Sequence, residues 1–320
     1  MNDDWYRSLS VPADTRGIRL DRFLAAWFPK RSRSWLARNI KDGKVTDAQG
    51  RPLRASTLLR GGEDLRLFLP GIAPGGPPPP FPRILHEDAR VVVVDKPAGM
   101  PCHPAGEDFV YALVGLARDQ WPGERIDLVH RLDRGTSGCI VLTRDLQANA
   151  FLKDAMKRGE ASKRYVAIAK GEIPWEHRHL RGPIGAATGP IRIQMAVRED
   201  GLAAHTEVQV LNRQPGLSRV ACTLHTGRTH QIRVHLSHAG FPLLGDVMYG
   251  IAPEVFLHTL DHGIDASVRE RSGAPRHALH AAHIELPHPD GGLLTVDCEV
   301  PADMGRWWRD PSVLPHDGAS

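Results

Sequence analysis

The 320-residue sequence has no run of about 18 apolar residues, so nothing in it reads as a membrane-spanning helix. Its opening, MNDDWYRSLS, begins with acid and has no apolar stretch, so no secretory signal is expected. Cysteine is scarce. Cys102, Cys139, Cys222 and Cys298 lie far apart and form no CxxC pair, which reads as reduced thiols in a cytoplasmic protein. There is no internal repeat. No His–Glu pair has HExxH spacing, although His225, His230, His235 and His238 share one segment and His177 and His179 sit in what reads as a loop. A metal hydrolase is therefore disfavoured, and no metal site is assigned.

What is present is apolar residue at 41%, enough for a core, and charge that is unevenly placed. The net charge is only +4, but residues 16–70 hold thirteen basic residues against five acids, a local +8. The remainder is then −4. A basic module beside a near-neutral body suits a polyanionic partner such as nucleic acid, with a merely solvated basic face as the alternative. PGIAPGGPPPPFP, with four consecutive prolines, reads as an extended spacer. These features divide the chain into an extension at 1–15, a basic module at 16–70, a Pro/Gly-rich linker at 71–83, a body at 84–305 and a polar tail at 306–320.

In the module, Leu20, Phe23, Leu24 and Trp27 have helical spacing before Pro29. A second helix should start at Ser32 as N-cap, bury Leu36 and Ile40, and stop at Gly43. In the body, RVVVVDKP is a buried strand. DLVHR and GCIVLTRD are strands flanking a loop. DLQANAFLKDAMKRG is a helix capped by Asp145, with Leu146, Phe151, Leu152, Ala155 and Met156 on or near one face. KRYVAIAKG, HTEVQVLNR and SRVACTLHTG are further strands, and RTHQIRVHLSHAG is a helix. Strands with helices interspersed irregularly predict an α+β fold: a mixed, largely antiparallel sheet with flanking helices, plus a small N-terminal α/β module.

The segment GIRLDRFLAAWFPKRSRSWLARNIKDGKV resembles the alpha-L RNA-binding motif of a small-subunit ribosomal protein and several RNA-modifying enzymes, departing from it at VTDAQG, where a Val-Asn-Gly-type turn is usual. The candidate RNA-binding residues of the module are Arg22, Arg31, Arg33, Arg38, Lys41 and Lys44, cations on or near the helices that can follow a phosphate backbone.

VHRLDRGTSG places Asp133 between Arg131 and Arg134, ahead of Gly135, Thr136, Ser137 and Gly138. A carboxylate beside arginines stays ionised and can be a nucleophile or a base. It can equally be an ion-paired residue closing a turn. LHTGRTHQIRVH brings Gly227, Arg228, His230, Gln231 and Arg233 to a strand-to-helix junction, which suits an anion or an acidic side chain, or is simply a capped helix with a solvated face. Tyr165 in SKRYVAIAKG is a site residue or a core residue.

In order, HRLDRGTSG, KRYVAIA and TGRTHQIRVH, with DKPAGMPCHP and GFPLLGDVMYG, resemble the signature segments of the RluA-type RNA pseudouridine synthases, over about residues 84–300. That resemblance implies in-place isomerisation of uridine to its C-glycoside without cofactor or metal. It implies Asp133 as the catalytic aspartate, Tyr165 as the residue stacking on the target base, and Arg228 as the partner holding Asp133. Arg131 and Arg134 would serve RNA phosphates or structural pairs. A target nucleotide would have to leave its stack to reach the site. The implied partner is RNA, most plausibly large-subunit ribosomal RNA, with transfer RNA as the alternative; the protein is expected to be a cytoplasmic monomer that does not touch membranes. A non-catalytic RNA-binding or ribosome-assembly protein is the rival reading, opposed by the retention of Asp133, Tyr165 and Arg228 together.

Overall fold

A computed structural model of the chain describes residues 7–11, 15–28, 32–67, 79–103, 111–191 and 193–309, which form eight helices and seventeen strands. Arg31, the Trp27 side chain, residues 68–78 of the proline-rich stretch and residues 310–320 of the tail lie outside the described residues. The chain divides into two compact units, one of residues 1–81 with 100–126 and one of residues 82–99 with 127–320. Segment 100–126, placed in the body on sequence grounds, thus belongs with the basic module.

The first unit contains β1 (Arg7–Ser10), β2 (Arg16–Arg19), α1 (Leu20–Trp27), α2 (Arg33–Lys41), β3 (Val45–Asp47), β4 (Leu58–Arg60) and β5 (Asp64–Leu67), joined by α3 (Leu113–Gln120) from the later segment. β5 pairs antiparallel with both β1 and β3, and β2 pairs with β4. Leu9 and Val11 are buried with the core, so part of the expected N-terminal extension is structural. The core also takes Leu20, Phe23 and Leu24 from α1 and Leu36 and Ile40 from α2, as their spacing predicts. Ser32 caps α2 by accepting from the Trp35 N–H at 3.2 Å, and Gly43, at φ +74°, follows its end. One face of α2 is therefore committed to the core, leaving Arg33, Arg38 and Lys41 exposed on the other.

In the second unit the elements are β6 (Ile84–Glu87), β7 (Val91–Lys96), β8 (Asp127–Leu128), β9 (Ser137–Thr143), α4 (Leu146–Lys157), β10 (Ser162–Lys170), β11 (His177–Leu180), β12 (Ile184–Ala186), β13 (Met195–Val197), β14 (Thr206–Gln214), β15 (Leu217–Leu224), α5 (Gln231–His238), α6 (Pro253–His262), α7 (Ala266–Ser272), β16 (Leu279–Pro287), β17 (Leu293–Asp297) and α8 (Ala302–Arg309). Ten strands make one sheet in the order β11-β14-β15-β10-β16-β9-β7-β6, with β17 added to β16 and β8 to β9. Among these strands only β9 and β16 run parallel, so the sheet is mixed and largely antiparallel. β12 and β13 form a separate pair.

Val91, Val92, Val93 and Val94 are fully buried, each contributing about 1.5–3 kcal/mol over an exposed side chain. That run carries Lys96 into the interior at 0% exposure, where Nζ donates to the carbonyls of Pro97 at 3.0 Å and Arg134 at 3.3 Å. α4 is capped by Asp145, which accepts from the Ala148 N–H at 2.8 Å. Its buried stripe is Ala148, Asn149, Leu152 and Ala155; Leu146 and Phe151, expected on or near that face, are exposed, because the helix meets the sheet through its smaller residues. α8 buries Met304 and Trp307, although Trp307 falls in the expected tail.

Gly138 sits where β9 meets its parallel partner, opposite Ala281. Its φ is +109°, and a Cβ there would stand 2.2 Å from the Ala281 carbonyl oxygen. Gly138→Ala is expected to destabilise the protein by about 3 kcal/mol or more, combining positive-φ strain with a backbone clash. The check is the urea midpoint of the variant against wild type; an unchanged midpoint would show that the β9–β16 junction yields freely.

Candidate active site

Asp133 lies on the loop between β8 and β9. The Thr136 N–H donates to the Asp133 carbonyl at 3.0 Å and closes a turn. Small residues are needed here for contact reasons: a Cβ on Gly135 would lie 2.7 Å from the His277 ring. That ring is hydrogen-bonded to Thr136 through Nε2 and Oγ1 at 2.9 Å. Arg276 braces the loop from below, donating to the Gly135 carbonyl at 3.1 Å while its Nε and Nη2 hold Asp303 at 2.9 and 3.0 Å. Arg134 fastens the outer side, donating through Nε to the Gly99 carbonyl at 2.9 Å.

The carboxylate of Asp133 meets α5 rather than the preceding loop. Arg233 Nη1 donates to Asp133 Oδ2 at 2.9 Å, and Arg233 Nε and Nη2 donate to the two oxygens of Asp246 at 2.7 and 2.9 Å. Side-chain exposure falls along the chain of charges, from 26% at Asp133 to 6% at Arg233 and 0% at Asp246. Asp246 Oδ1 also accepts from the Met248 and Tyr249 N–H groups at 3.0 and 3.2 Å. Arg233 packs its guanidinium 5.0 Å from the centre of the Tyr249 ring. Burial pushes the Asp246 carboxyl up, but the Arg233 charge and hydrogen bonds outweigh it and bring it down to about 2. The same contest, burial against Arg233, leaves Asp133 below the usual carboxylate range. Asp133 is therefore an ionised, partly desolvated carboxylate at neutral pH.

His230 is the non-glycine residue with positive φ among those described, at φ 57° and ψ 20°, immediately ahead of α5. Its Nδ1 is 2.8 Å from the Tyr249 hydroxyl, which accepts from the Met195 N–H at 2.9 Å. Burial pushes the Tyr249 hydroxyl up to about 12, so it stays protonated and donates to Nδ1. That assigns the His230 proton to Nε2, which faces Asp133 Oδ1 at 3.9 Å. Burial holds His230 below its ordinary range.

Asp133, Tyr165 and Arg228 line one cleft of about 480 Å³ in the second unit. Tyr165 is 7% exposed and lies on β10, opposite Cys222 of β15 and Ala281 of β16, beside a register shift that follows Arg164. Arg228, expected to hold Asp133, does not: its Nε donates to the Ala203 carbonyl at 3.0 Å, and the guanidinium on Asp133 is that of Arg233. The reason is where α5 begins. Arg228 precedes the helix and stays exposed, whereas Arg233 lies in its buried first turn. Gln231 fixes this phase, accepting from the Arg228 N–H and Thr226 hydroxyl and donating to the His205 carbonyl and Thr206 hydroxyl. Arg131 is exposed at the cleft, with Nη2 donating to Thr229 Oγ1 at 3.2 Å.

The signature of the RNA pseudouridylate synthase family matches residues 90–238, which contain Asp133, Tyr165 and Arg233. A protein of Xanthomonas campestris pv. campestris described as ribosomal large subunit pseudouridine synthase D is 35% identical, with 95% of this chain and 92% of the relative covered. A protein of the same description from Pseudomonas aeruginosa is 37% identical, with 95% of each covered. The chain belongs to the RluA-type RNA pseudouridine synthase family. Among solved structures, human RNA pseudouridylate synthase domain containing 1 superposes with a TM-score of 0.55 at 25% identity, covering 70% of this chain and 86% of the other. As a synthase of this family, the protein is an isomerase that acts on RNA.

Of the residues around Asp133, sequence reasoning did not single out Asp246 and Tyr249, and it named His230 and Arg233 at the strand-to-helix junction without giving either a role. Arg233 stands in the same segment as Arg228, and GFPLLGDVMYG carries Asp246 and Tyr249, but neither stretch announces a shared ion pair. In the basic module Arg22, Arg33, Arg38 and Lys41 are exposed and Lys44 is half-buried.

The Asp133–Arg233 pair predicts a titration. Arg233→Lys keeps a charge for Asp246 but loses the planar fork that reaches both carboxylates, so the Asp133 pKa should rise toward the ordinary value near about 3.9. Because the wild-type value is depressed, the ionised fraction of Asp133 in the variant should begin to fall at higher pH on acidification. Arg228→Ala should leave the titration in place. Carboxyl 13C shifts of labelled aspartate, assigned with Asp133→Asn, read the difference; a shift in the Arg228 variant alone would reverse the assignment.

Proposed function

We propose that this synthase converts specific uridines of large-subunit ribosomal RNA to pseudouridine, with Asp133 as the catalytic carboxylate and Tyr165 as the platform for the target base. The observation that carries the reading is the ionised Asp133 held at a cleft by Arg233, with Tyr165 in the same wall. The reaction breaks the bond from uracil N1 to the ribose, turns the base, joins C5 to the same ribose carbon, and exchanges the proton lost from C5 for one gained at N1; product and substrate are isomers, so no cofactor or energy source is required. Asp133 acts on the ribose or the base as nucleophile or base, and Tyr165 stacks on the flipped uracil, a contact contributing about 1–3 kcal/mol per base. Arg233 is a positioning residue, keeping Asp133 ionised and aimed. Two described relatives that cover 95% of this chain and carry the large-subunit name support the choice of RNA. No described helix is long and apolar enough to cross a membrane.

The exposed face of α2, with Arg33, Arg38 and Lys41, and with Arg22 and Lys44 of the same module, follows RNA phosphates in this reading; Arg31, outside the described residues, takes the same role on sequence grounds, as do Arg131 at the cleft and Arg134 on the loop that carries Asp133. Removing the module at residue 81 is a poor test, because segment 100–126 belongs to the same unit and would lose its partner. Neutralising Arg33, Arg38 and Lys41 to Gln is cleaner. It should weaken binding to a structured ribosomal RNA fragment and flatten the salt slope by up to about 2, at about 0.7 per lost single-strand contact. An unchanged slope and affinity would assign the face to solvent.

The decisive test is Asp133→Asn, which preserves an acceptor for Arg233 but not the charge. Pseudouridine formation on large-subunit ribosomal RNA, mapped at nucleotide resolution, should fall by roughly a thousandfold or more while RNA binding persists. Turnover within about tenfold of wild type would remove Asp133 from the chemistry. Conversion of transfer RNA instead of ribosomal RNA would redirect the substrate but keep the residue.

A further inference from the structure

The sheet gathers histidines that the sequence scatters over almost fifty positions. His177 and His179 lie on β11, a strand and not the loop expected, with His205 just before β14, Glu207 within it, and His225 just after β15. Register places them together. β11 pairs with β14 so that His179 stands opposite Glu207, and the His225 N–H donates to the His205 carbonyl at 3.1 Å, extending the β14–β15 ladder by one residue. Alternation then puts His177 with His179, and His205 with Glu207, on one face. On β14 the alternate residues Thr206, Val208 and Val210 are buried, so this face is the solvent side.

The imidazoles converge. His179 Nδ1 and His205 Nε2 are 2.9 Å apart, and the His205 and His225 rings stack at 4.1 Å between centroids. His179, His205 and His225 each offer a ring nitrogen within 4.8 Å of the other two. Behind them Glu207 bridges two rings, accepting from His225 Nε2 at 3.1 Å and from His177 Nε2 at 2.8 Å. A carboxylate on the far nitrogen of a histidine fixes its tautomer and raises its basicity as a ligand. Three nitrogens bound at about 2.0–2.1 Å to a tetrahedral ion sit about 3.3–3.5 Å from one another, which small side-chain rotations reach from here.

We propose that His179, His205 and His225, with Glu207 orienting His225, bind one divalent transition metal ion of the zinc class at the edge of the catalytic sheet. Imidazole donors favour zinc, cobalt, nickel or copper over magnesium or calcium, which take oxygen. The fourth coordination position goes to water or to the second ring partner of Glu207, His177. The ion ties the edge strand β11 to β14 and β15, and His225 also lines the cleft of Asp133. Its role is to anchor that rim.

The test uses untagged full-length protein stripped with chelator and titrated with Co2+ and Zn2+. Wild type is expected to take up one equivalent, with the visible absorption of tetrahedral Co2+, displacement by Zn2+, no response to Mg2+, and a higher melting temperature with metal. His179→Ala with His205→Ala should abolish the absorption band, and Glu207→Gln should weaken binding by about 10–100-fold, the usual effect of losing a residue that orients a ligand. The double variant His258→Ala with His262→Ala, removing another stacked histidine pair, should bind as wild type. If the His179 and His205 double variant does not fold, His179→Gln is read in its place. Absence of saturable Co2+ binding in wild type overturns the proposal, as does binding that survives loss of His179 and His205 or is lost equally in the His258 and His262 control.

Discussion

The second unit is organised about one buried cation. Arg233 has almost no solvent and must be neutralised inside the protein, since an unpaired buried guanidinium costs several kcal/mol, about 3–5 when one partner of such a pair is removed. Two carboxylates meet it. Asp246 takes the bidentate position at zero exposure, held by two backbone N–H groups. Of the three N–H groups that remain, one on Nη1 goes to Asp133 Oδ2, so Asp133 is charged, fixed at that oxygen and lines the cleft with Oδ1 facing His230 Nε2 at 3.9 Å. The distribution of bonds makes Asp246 structural and Asp133 available.

Everything around that cation sets its position. Gln231 accepts from Thr226 and Arg228 on the loop ahead of α5 and donates to His205 and Thr206 at the start of β14, and so fixes the turn at which the helix starts. His230 adopts a left-handed conformation there, and Tyr249 links it to Met195 while covering the guanidinium. From the other side, Arg276 and His277 support Gly135 and Thr136, so the loop bearing Asp133 is held from beneath. β16 unites these parts: β10, with Tyr165, pairs along one edge, and β9, which follows the Asp133 loop, pairs in parallel on the other. The glycine at that junction is the condition for the close approach.

Much of this was legible in the chain. The spacing of Leu20, Phe23 and Leu24, the caps at Ser32 and Asp145, the valine run of β7 and the alternation of β14 are local patterns, and each forms the element its pattern predicts. Failures occurred where packing overrides pattern. The apolar Leu146 and Phe151 are exposed, and Trp307 and Leu9 are drawn into cores from segments that read as tail and extension. Segment 100–126 reads as continuous with the body, yet its contacts lie with the module. Sequence shows which residues can be buried, not which neighbour will cover them.

By itself the sequence determined the mixed fold, the basic module, the family and the candidates Asp133 and Tyr165, because these rest on composition, short-range periodicity and ordered motifs. The tertiary structure decided the partner of Asp133. Arg228 and Arg233 stand in one segment with equal charge, and only the phase of α5, set by its hydrogen-bonded start, turns one inward and leaves the other at the surface. It also decided the histidines. The run His225, His230, His235 and His238 disperses, with His230 going to Asp133 and His235 to Thr206 and Gly182, while His179 on β11, His205 just before β14 and His225 just after β15 are brought together. Strand register is a long-range choice, made by the pairing of distant segments, and no spacing along the chain encodes it.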